Sequence, residues 1–253
     1  MHIDLLPGSK PVYKRHYPVA QTHKSTFKKE LDHLEEIGVL SKIKDPSLWC
    51  LPTFCIPKKD SRICIVSNLR ELNKFVKPVQ YPLPQISKVL RKRFGYQFFT
   101  KLDVSMQFYT LELDNESKEL CTISTPFGNY RYNRVPMGLK ISPAFAQSKM
   151  EQCLADIEEL DVYIDDVGVF TSDWSSHLSA LDRTLTKLEE SGFTINLLKC
   201  EWAIKETDWL SYWLTPSGIK PWSKKVEAIV NMKRPETATE LRSFVGMVTY
   251  YLS

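Results

Sequence analysis

Two adjacent aspartates stand in the middle of an apolar stretch, ELDVYIDDVGVF, at residues 159–170. β-prone segments flank Asp165 and Asp166, with VYI before them and VGV after them. Burying an ionised carboxylate is costly unless a cation or a metal ion offsets its charge. Oxygen ligands are those that Mg²⁺ prefers, so the pair could hold a divalent metal.

A plain structural explanation competes with the metal. Two apolar segments joined by two residues predict a β-hairpin with Asp165 and Asp166 at its tip, because aspartate tolerates the left-handed backbone of such turns. An isolated Asp-Asp pair is most often only a polar turn of this kind. In that case the two carboxylates would have no catalytic or metal-binding role.

A third aspartate favours the metal. Asp103 lies near the end of an aromatic, β-branched segment, QFFTKLDV, that predicts a strand over residues 97–104. If this strand and the hairpin are neighbours in one sheet, Asp103 and Asp165 converge on a pair of cations. Two ions about 3.5–4 Å apart form a site for in-line phosphoryl transfer.

Composition sets the limits. A chain of 253 residues with 43% hydrophobic content predicts one large or two modest globular domains. The net charge of +4 permits a polyanionic partner without requiring one. The six cysteines form no CxxC pair, and no signal peptide or long apolar run is present. We therefore expect a soluble intracellular chain with reduced thiols and no membrane partner.

Hydrophobic spacing predicts interleaved helices and strands, which indicates an α+β fold with helices on one face of a sheet of the split βαβ kind. The predicted strands include 53–57, 62–67 and FYTLELD at 108–114, and a hairpin turns on Phe127-Gly128-Asn129. The predicted helices include one that ends at Gly38, one over 142–157 with Ser142 as its N-cap, and one built on Leu178, Leu181, Leu185 and Leu188.

Over essentially its whole length the sequence resembles reverse transcriptases, specifically those of gypsy-type LTR retrotransposons. YIDD matches the Tyr-x-Asp-Asp box of that family, and FFTKLDVSMQFY matches the motif that carries its first catalytic aspartate. Three further segments follow the family's order and spacing: NLRELNK with YPLPQI, TPFGNYRYNRVPMGLKISPAFAQ, and GFTINLLKCEWAIKETDWLSYWL. Any one box is a weak signal, whereas five in order are very specific.

The resemblance implies a right-hand polymerase made as a piece of a Pol polyprotein. Residues 1–78 and 111–141 would form the fingers, and residues 79–110 and 142–214 the palm with its split βαβ antiparallel sheet. Residues 215–253 would begin a thumb or connection that is incomplete. On this expectation the chain is an excised piece, a decayed genomic copy or a shortened gene model.

The resemblance also assigns roles at the metal site. Asp103, Asp165 and Asp166, with the backbone carbonyl of Val104, would bind two Mg²⁺ ions, for which Mn²⁺ is a substitute. Lys199 would protonate the pyrophosphate leaving group as a general acid.

Further roles concern the nucleotide and the nucleic acid. Phe108 would exclude a ribose 2′-hydroxyl, although it could be an ordinary core residue. The other implied nucleotide contacts are Lys58, Arg62, Met137 and Gly138, and the implied primer and template contacts are Tyr163, Asn73, Pro143, Trp209, Leu210, Ser211 and Tyr212. Lys58 could equally be solvated surface, and the aromatic residues of the last segment could simply be core. Four positions depart from the family pattern: Cys64 where an arginine is usual, Asn68 where a carboxylate is usual, Gln107 where a small residue is usual, and Ser211 where glycine is usual.

The predicted function is that of an RNA-directed DNA polymerase that adds dNTPs to a primer 3′-hydroxyl on an RNA or DNA template. Other Pol and Gag products would be its partners, in a cytoplasmic virus-like particle or in the nucleus. One alternative is an inactive relic that keeps the fold and binds nucleic acid. A metal-dependent nuclease or phosphotransferase is less favoured, since no His or Glu stands in the two aspartate boxes, FFTKLDVSMQFY and YIDD, to activate water.

Overall fold

The protein is described by a computed structural model that covers residues 1–57, 63–92, 95–221 and 223–252. The chain divides into two compact units. The first comprises Met1–Pro82, Ser105–Gln152 and Gly192–Thr194, and the second comprises Leu83–Val104, Cys153–Ser191 and Ile195–Ser253. No helix among the described residues combines the length and the apolar character needed to cross a bilayer.

Helices and strands are interleaved along the described chain, as the hydrophobic spacing predicts. The helices are α1 (Gln21–Glu36), α2 (Arg70–Phe75), α3 (Ile86–Lys92), α4 (Gln107–Thr110), α5 (Asn115–Leu120), α6 (Ser142–Cys153), α7 (Trp174–Glu190), α8 (Ser223–Val230) and α9 (Ala238–Leu252). The strands are β1 (Leu40–Lys42), β2 (Leu51–Pro57), β3 (Ile63–Ser67), β4 (Phe98–Ser105), β5 (Thr122–Thr125), β6 (Gly128–Tyr132), β7 (Leu160–Tyr163), β8 (Asp166–Thr171), β9 (Thr194–Ile195), β10 (Glu201–Ile204), β11 (Thr207–Trp209), β12 (Tyr212–Thr215) and β13 (Gly218–Pro221).

The first unit is built on a five-stranded sheet with the order β1-β6-β5-β2-β3. Two antiparallel hairpins, β2–β3 and β5–β6, meet through a parallel pairing of β2 with β5. Helix α1 packs on β1 and β3 and buries Phe27 and Leu31 completely. It stops just before Gly38, as predicted, and the positive φ of 72° at Gly38 is the left-handed backbone that glycine adopts most readily.

The second unit is built on an antiparallel sheet with the order β10-β4-β8-β7. Side chains of a strand alternate between the two faces of its sheet. One face carries apolar and hydroxyl side chains that are buried, and the other carries charged groups at one end and aromatic rings at the other. The first face holds Thr100, Leu102, Val104, Val167, Val169 and Thr171, and the second holds Phe99, Lys101, Asp103, Asp166, Gly168 and Phe170.

Helix α7 packs against β8, and its buried side differs from the predicted leucine stripe. Leu178 is half exposed, whereas His177, Ala180, Thr184 and Leu188 are buried. His177 lies between Thr100 and Thr171 of the sheet, and hydrogen bonds with their hydroxyls satisfy both of its ring nitrogens. The helix is confirmed, and the prediction of which side is buried is wrong by part of a turn.

The predicted strand over residues 108–114 is wrong. After β4 the backbone turns at Met106, with a φ of 50°, and enters the short helix α4. Only the following residues are extended: Leu111 accepts a hydrogen bond from Val135 N at 2.9 Å, and Leu113 N donates to Asn133 O at 3.0 Å. Leu111 and Leu113 are buried, as the alternation predicts, but they lie in the connection between α4 and α5.

Two further details differ from prediction. The β5–β6 hairpin turns on Pro126 and Phe127, because Thr125 pairs with Gly128. Ser142 is the first residue of α6, and its buried hydroxyl donates to Pro136 O at 3.2 Å. The serine therefore ties down the preceding loop and is not an N-cap.

Candidate functional site

The pairing of β4 with β8 brings two of the three aspartates together. Asp103 lies directly opposite Asp166 in the antiparallel register. Side chains of directly opposite residues project from the same face, with Cβ atoms about 4.5–5.5 Å apart. The condition stated from the sequence, that these two segments are neighbours in one sheet, is met, although Asp166 and not Asp165 lies opposite Asp103.

The β7–β8 hairpin is also confirmed, but its tip lies one residue earlier than predicted. Tyr163 pairs with Asp166, so the turn residues are Ile164 and Asp165. Asp166 belongs to β8 because it is paired on both sides, with Tyr163 and with Asp103. The left-handed conformation falls on Ile164, with a φ of 55°, which is rare for a β-branched residue.

A backbone hydrogen bond holds the exposed end of this hairpin against β4. Val104 N donates to Asp165 O at 2.9 Å. The Asp165 side chain is exposed, whereas that of Asp166 is half-buried. The strained backbone at Ile164 and this hydrogen bond together fix where Asp165 presents its carboxylate.

The carboxylates repel one another. Burial, followed by the neighbouring charge of Asp165 and then that of Asp103, raises the pKa of Asp166 to about 6, although Lys101 and Lys199 act in the opposite direction. Within the described part of the chain neither Asp165 nor Asp166 has an ion-pair partner. The cluster therefore holds negative charge that a cation would stabilise.

Lys199 contacts the third aspartate. Its Nζ donates to both carboxylate oxygens of Asp103, at 3.1 and 3.2 Å. The sequence brings it there through the segment after β9, where Asn196 N donates to Asp103 O at 2.9 Å. Lys199 thus lies at the carboxylates, as its place in the family pattern implies.

The donor chemistry of this cluster fits a divalent metal. Three carboxylates supply oxygen ligands, and burial, followed by the charges of the other two aspartates, raises the pKa of Asp166. Across the described ranges, no three His, Cys, Asp or Glu side chains are placed to hold one ion together. Both oxygens of Asp103 are engaged by the ammonium group of Lys199.

Aromatic rings cover the same face of the sheet next to the aspartates. Trp209 at the end of β11 is 1% exposed and lies with its ring centroid 5.6 Å from Phe99 and 5.4 Å from Phe170. The interpretation of Trp209 as core packing therefore holds for its side chain. Between Phe99 and Asp103 on this face stands Lys101, whose Nζ donates to Asp208 O at 3.0 Å and fixes the β11 strand beside the cluster.

The hairpin of β11 and β12 has a strained turn. Trp209 pairs with Tyr212, so Leu210 and Ser211 form the turn, with φ of 49° and 72°. Positive φ at both central residues is the requirement of a type I′ turn, for which glycine is the preferred second residue. Ser211, found where the family pattern has glycine, therefore holds a backbone conformation that glycine adopts more readily.

The remaining predicted residues lie in the first unit. Asn73 joins two of the predicted segments: its Nδ2 donates to Gly138 O at 2.8 Å, and its Oδ1 accepts from Lys140 N at 2.8 Å. Met137, before Gly138, is about half exposed. Phe108, in α4, and Pro143, in α6, are both half-buried. Lys58 and Arg62 lie outside the described residues.

Two features of the sites were missed from the sequence. The first unit contains a cavity of about 620 Å³ lined by Tyr17, Phe54, Asn68, Arg70 and Gly138, among others. Asn68 is held at its wall, because its Nδ2 donates to Tyr17 Oη at 2.9 Å. Lys101 was also missed, although its spacing of two residues from Asp103 on a predicted strand could have revealed it.

Comparison with known proteins places the chain in a family. The profile of the family described as reverse transcriptase (RNA-dependent DNA polymerase) matches residues 56–214, which is more than half of the chain. The chain therefore belongs to the reverse transcriptase family, and the resemblance stated from its motifs is confirmed. A curated relative is the retrovirus-related Pol polyprotein from transposon 297 of Drosophila melanogaster, with 33% identity over 99% of this chain and 24% of the relative.

Solved structures show the same fold. A foamy viral protease-reverse transcriptase in complex with double-stranded DNA superposes with a TM-score of 0.85 and 25% identity, over 97% of this chain and 43% of that chain. The protease-reverse transcriptase in complex with an RNA/DNA hybrid gives a TM-score of 0.81 and 25% identity, over 96% and 33% of the two chains. The fold is thus that of a right-hand polymerase of the α+β class. The chain spans about a quarter of the length of transposon 297 Pol.

Proposed function

We propose that this chain carries the polymerase activity of its family, the addition of dNTPs to a primer 3′-hydroxyl directed by RNA. One observation supports this above all: the register of β4 and β8 sets Asp103 opposite Asp166, with Asp165 at the adjoining turn. Such an arrangement of carboxylates at one end of a sheet is what two-metal phosphoryl transfer needs. We assign residues 1–78 and 111–141 to the fingers, residues 79–110 and 142–214 to the palm, and residues from 215 onward to the start of the thumb.

The reverse transcriptase family uses divalent metal ions. In this chain Asp103, Asp165 and Asp166, with the carbonyl of Val104, would hold two Mg²⁺ ions, or Mn²⁺ in their place. When bound, the ions supply an activated primer hydroxyl and stabilise the charge on the attacking and leaving oxygens. The half-buried position of Asp166 supports this, because burial raises its pKa to about 6 and a nearby cation would stabilise its charged form.

Other residues would hold the substrates. Phe108 would exclude a ribose 2′-hydroxyl, Lys58 and Arg62 would bind the triphosphate, and Lys199 would donate a proton to the leaving pyrophosphate. Asn73 keeps Gly138 and the neighbouring backbone in place through its two hydrogen bonds, so both its amide atoms are used in positioning. The foamy viral enzymes bound to double-stranded DNA and to an RNA/DNA hybrid support a template with primer as the partner.

The test is extension of a DNA primer on an RNA template with dNTPs and Mg²⁺, by the purified chain and by Asp165→Asn. The amide keeps the size of the side chain and removes its charge. Asp182→Asn is the matched control, because Asp182 is an exposed carboxylate on α7 of the same unit. We expect extension by the wild type and the control, and none by Asp165→Asn.

The other outcomes separate the alternatives. Extension by all three chains would refute the assignment of Asp165. Extension by none of them would refute polymerase activity for this chain, and the second candidate, a folded relic that binds nucleic acid, would then be favoured. Binding of a labelled RNA/DNA duplex, measured in parallel, distinguishes such a relic from a chain with no nucleic-acid partner.

A further inference from the structure

The ion pair between Lys199 and Asp103 engages both oxygens of the carboxylate. The Nζ of Lys199 bridges both carboxylate oxygens at 3.1 and 3.2 Å. Within the described chain Asp103 is its sole ion-pair partner. The Lys199 side chain is 63% exposed and that of Asp103 is 21% exposed, so the ammonium lies on the solvent side of the carboxylate. A cation that binds either oxygen of Asp103 therefore meets the charge of this ammonium.

The backbone prepares this contact. Asn196 N donates to Asp103 O at 2.9 Å, and Lys199 N donates to Asn196 O at 2.9 Å. A one-turn loop that is anchored on the main chain of Asp103 therefore carries the lysine to the side chain of the same residue. The ammonium is positioned by this loop, whereas its four-carbon side chain leaves it free to swing away.

The second lysine of the cluster is held differently. Lys101 Nζ donates to Asp208 O at 3.0 Å and lies 3.7 Å from a carboxylate oxygen of Glu201. Its side chain is 19% exposed, and its partners belong to β10 and β11. Lys101 is thus a fixed structural cation, and Lys199 is the displaceable one.

We propose that Lys199 is the resident counter-cation of Asp103 and that a divalent metal must displace its ammonium in order to bind. This inference rests on the proposed function, since it takes Asp103 as a metal ligand. Mg²⁺ binds carboxylate oxygens at about 2.0–2.1 Å, and an ammonium that already bonds both oxygens occupies the same acceptor sites and repels the incoming charge. Metal binding and release of Lys199 are therefore one coupled event.

Two consequences follow from this coupling. Lys199 stabilises the aspartate cluster when no metal is bound and weakens the apparent affinity for the metal. Its release also frees an ammonium beside the site at the moment when a substrate phosphate needs a proton donor. Lys199 would therefore be a positioning cation in the first state and a catalytic residue in the second.

The test measures metal binding directly, from the electron paramagnetic resonance signal of free Mn²⁺ titrated with the protein, without any substrate. Lys199→Met removes the charge and keeps a similar chain length. Since exposed ion pairs contribute up to about 1 kcal/mol, we expect it to bind Mn²⁺ about two- to fivefold more tightly than the wild type. Lys199→Arg keeps a cation and should bind no more tightly than the wild type.

Lys187→Met is the matched control. Lys187 forms an ion pair with Asp156 at 2.9 Å in the same unit and has no aspartate of the cluster as its partner. Its loss should leave Mn²⁺ affinity unchanged. Asp103→Asn shows whether the measured ion uses this carboxylate, and we expect its affinity for Mn²⁺ to fall.

Thermal unfolding provides a second test, of whether Lys199 stabilises the aspartates when no metal is bound. With EDTA present, Lys199→Met should have a lower thermal midpoint than the wild type, and it should gain more on addition of Mn²⁺. Equal or weaker Mn²⁺ binding by Lys199→Met would overturn the inference and leave the metal site of the proposed function intact. Unchanged binding by Asp103→Asn, or no binding by any chain, would overturn that metal site, and the inference with it.

Discussion

Gly168 leaves the space that the indole of Trp209 fills. A Cβ atom at position 168 would lie 2.9 Å from Cζ2 of Trp209, and equally close to ring atoms of Phe99 and Phe170. All of these rings are buried, so none of them can move aside at little cost. The β11–β12 hairpin can therefore cover the sheet beside Asp103 and Asp166 only because residue 168 has no side chain.

We expect Gly168→Ala to lower the free energy of unfolding by about 1–3 kcal/mol, the usual cost of overpacking a tight core. Chemical denaturation followed by tryptophan fluorescence measures this change and also reports on the environment of Trp209. Gly246→Ala is the control, because nothing lies within 4 Å of the added methyl in α9, and alanine favours a helix. Equal stability of Gly168→Ala and the wild type would show that the rings are not tightly packed.

Replacing Ser211 with the glycine of the family pattern is predicted to stabilise the chain. Ser211 has a φ of 72°, and an L-residue in this conformation is less stable than glycine by about 1 kcal/mol. Ser211→Gly should therefore raise the free energy of unfolding by about that amount, measured by denaturant titration. Ser172→Gly tests the opposite case, because Ser172 is exposed and has no positive φ. It should destabilise the chain slightly, and a gain in both variants would refute the argument from backbone strain.

His177 is held neutral by its hydrogen bonds. Ala203 N donates to Thr100 Oγ1 at 3.0 Å, and Thr100 Oγ1 lies 2.8 Å from Nε2 of the imidazole. Thr171 Oγ1 donates to Asp173 O at 3.2 Å and lies 2.9 Å from Nδ1. Since the Thr171 hydroxyl has used its proton, it accepts from Nδ1–H, and Nε2 accepts from Thr100. A second proton on the ring would make Nε2 a donor, and the hydrogen bond that it accepts from Thr100 would be lost.

This arrangement predicts a pH dependence of stability. Burial lowers the pKa of His177 below its ordinary value of 6.5. The unfolded chain then binds the proton more tightly, so the stability that is present above pH 6.5 falls as the pH drops below it, with a slope of at most about 1.4 kcal/mol per pH unit from this residue. Unfolding free energies between pH 5 and 8 should show this slope in the wild type and less of it in His177→Gln. An identical pH profile for both chains would contradict the assignment of a neutral imidazole.

Phe108 has two interpretations that nucleotide selection can separate. If its ring excludes a 2′-hydroxyl, Phe108→Val should lower the preference for dNTPs over rNTPs, measured as a ratio of kcat/KM values, by about 10–100-fold. Phe75→Val is the control for general destabilisation, since Phe75 is half-buried in the same unit and packs on Trp49. An unchanged ratio in Phe108→Val would leave Phe108 as a packing residue.

The sequence could predict the pieces of the site better than their register. The apolar segments around Asp165 and Asp166 predicted the hairpin correctly, because two-residue alternation is a local property. The position of the turn was one residue off, since Asp166 is extended through its pairing with Asp103, more than 60 positions away in the chain. Likewise the burial of His177 depends on Thr100, and the need for glycine at position 168 depends on Trp209. Non-local partners of this kind leave no signal in the local pattern.

Successive residues of β4 project from alternate faces of the sheet. The face on which each side chain lies therefore depends on the number of residues in the strand. Loss of a single residue between Phe98 and Leu102 would exchange the faces for every position before it. With Lys101 lost, for example, Phe98 would leave His177 and face Trp209, and Phe99 would leave Trp209 and face His177. The placement of these side chains therefore depends on the number of residues in the strand as well as on their identity. A copy of this chain that has lost one residue from β4 would therefore have a disrupted core beside the aspartates, although Asp103 itself is unchanged.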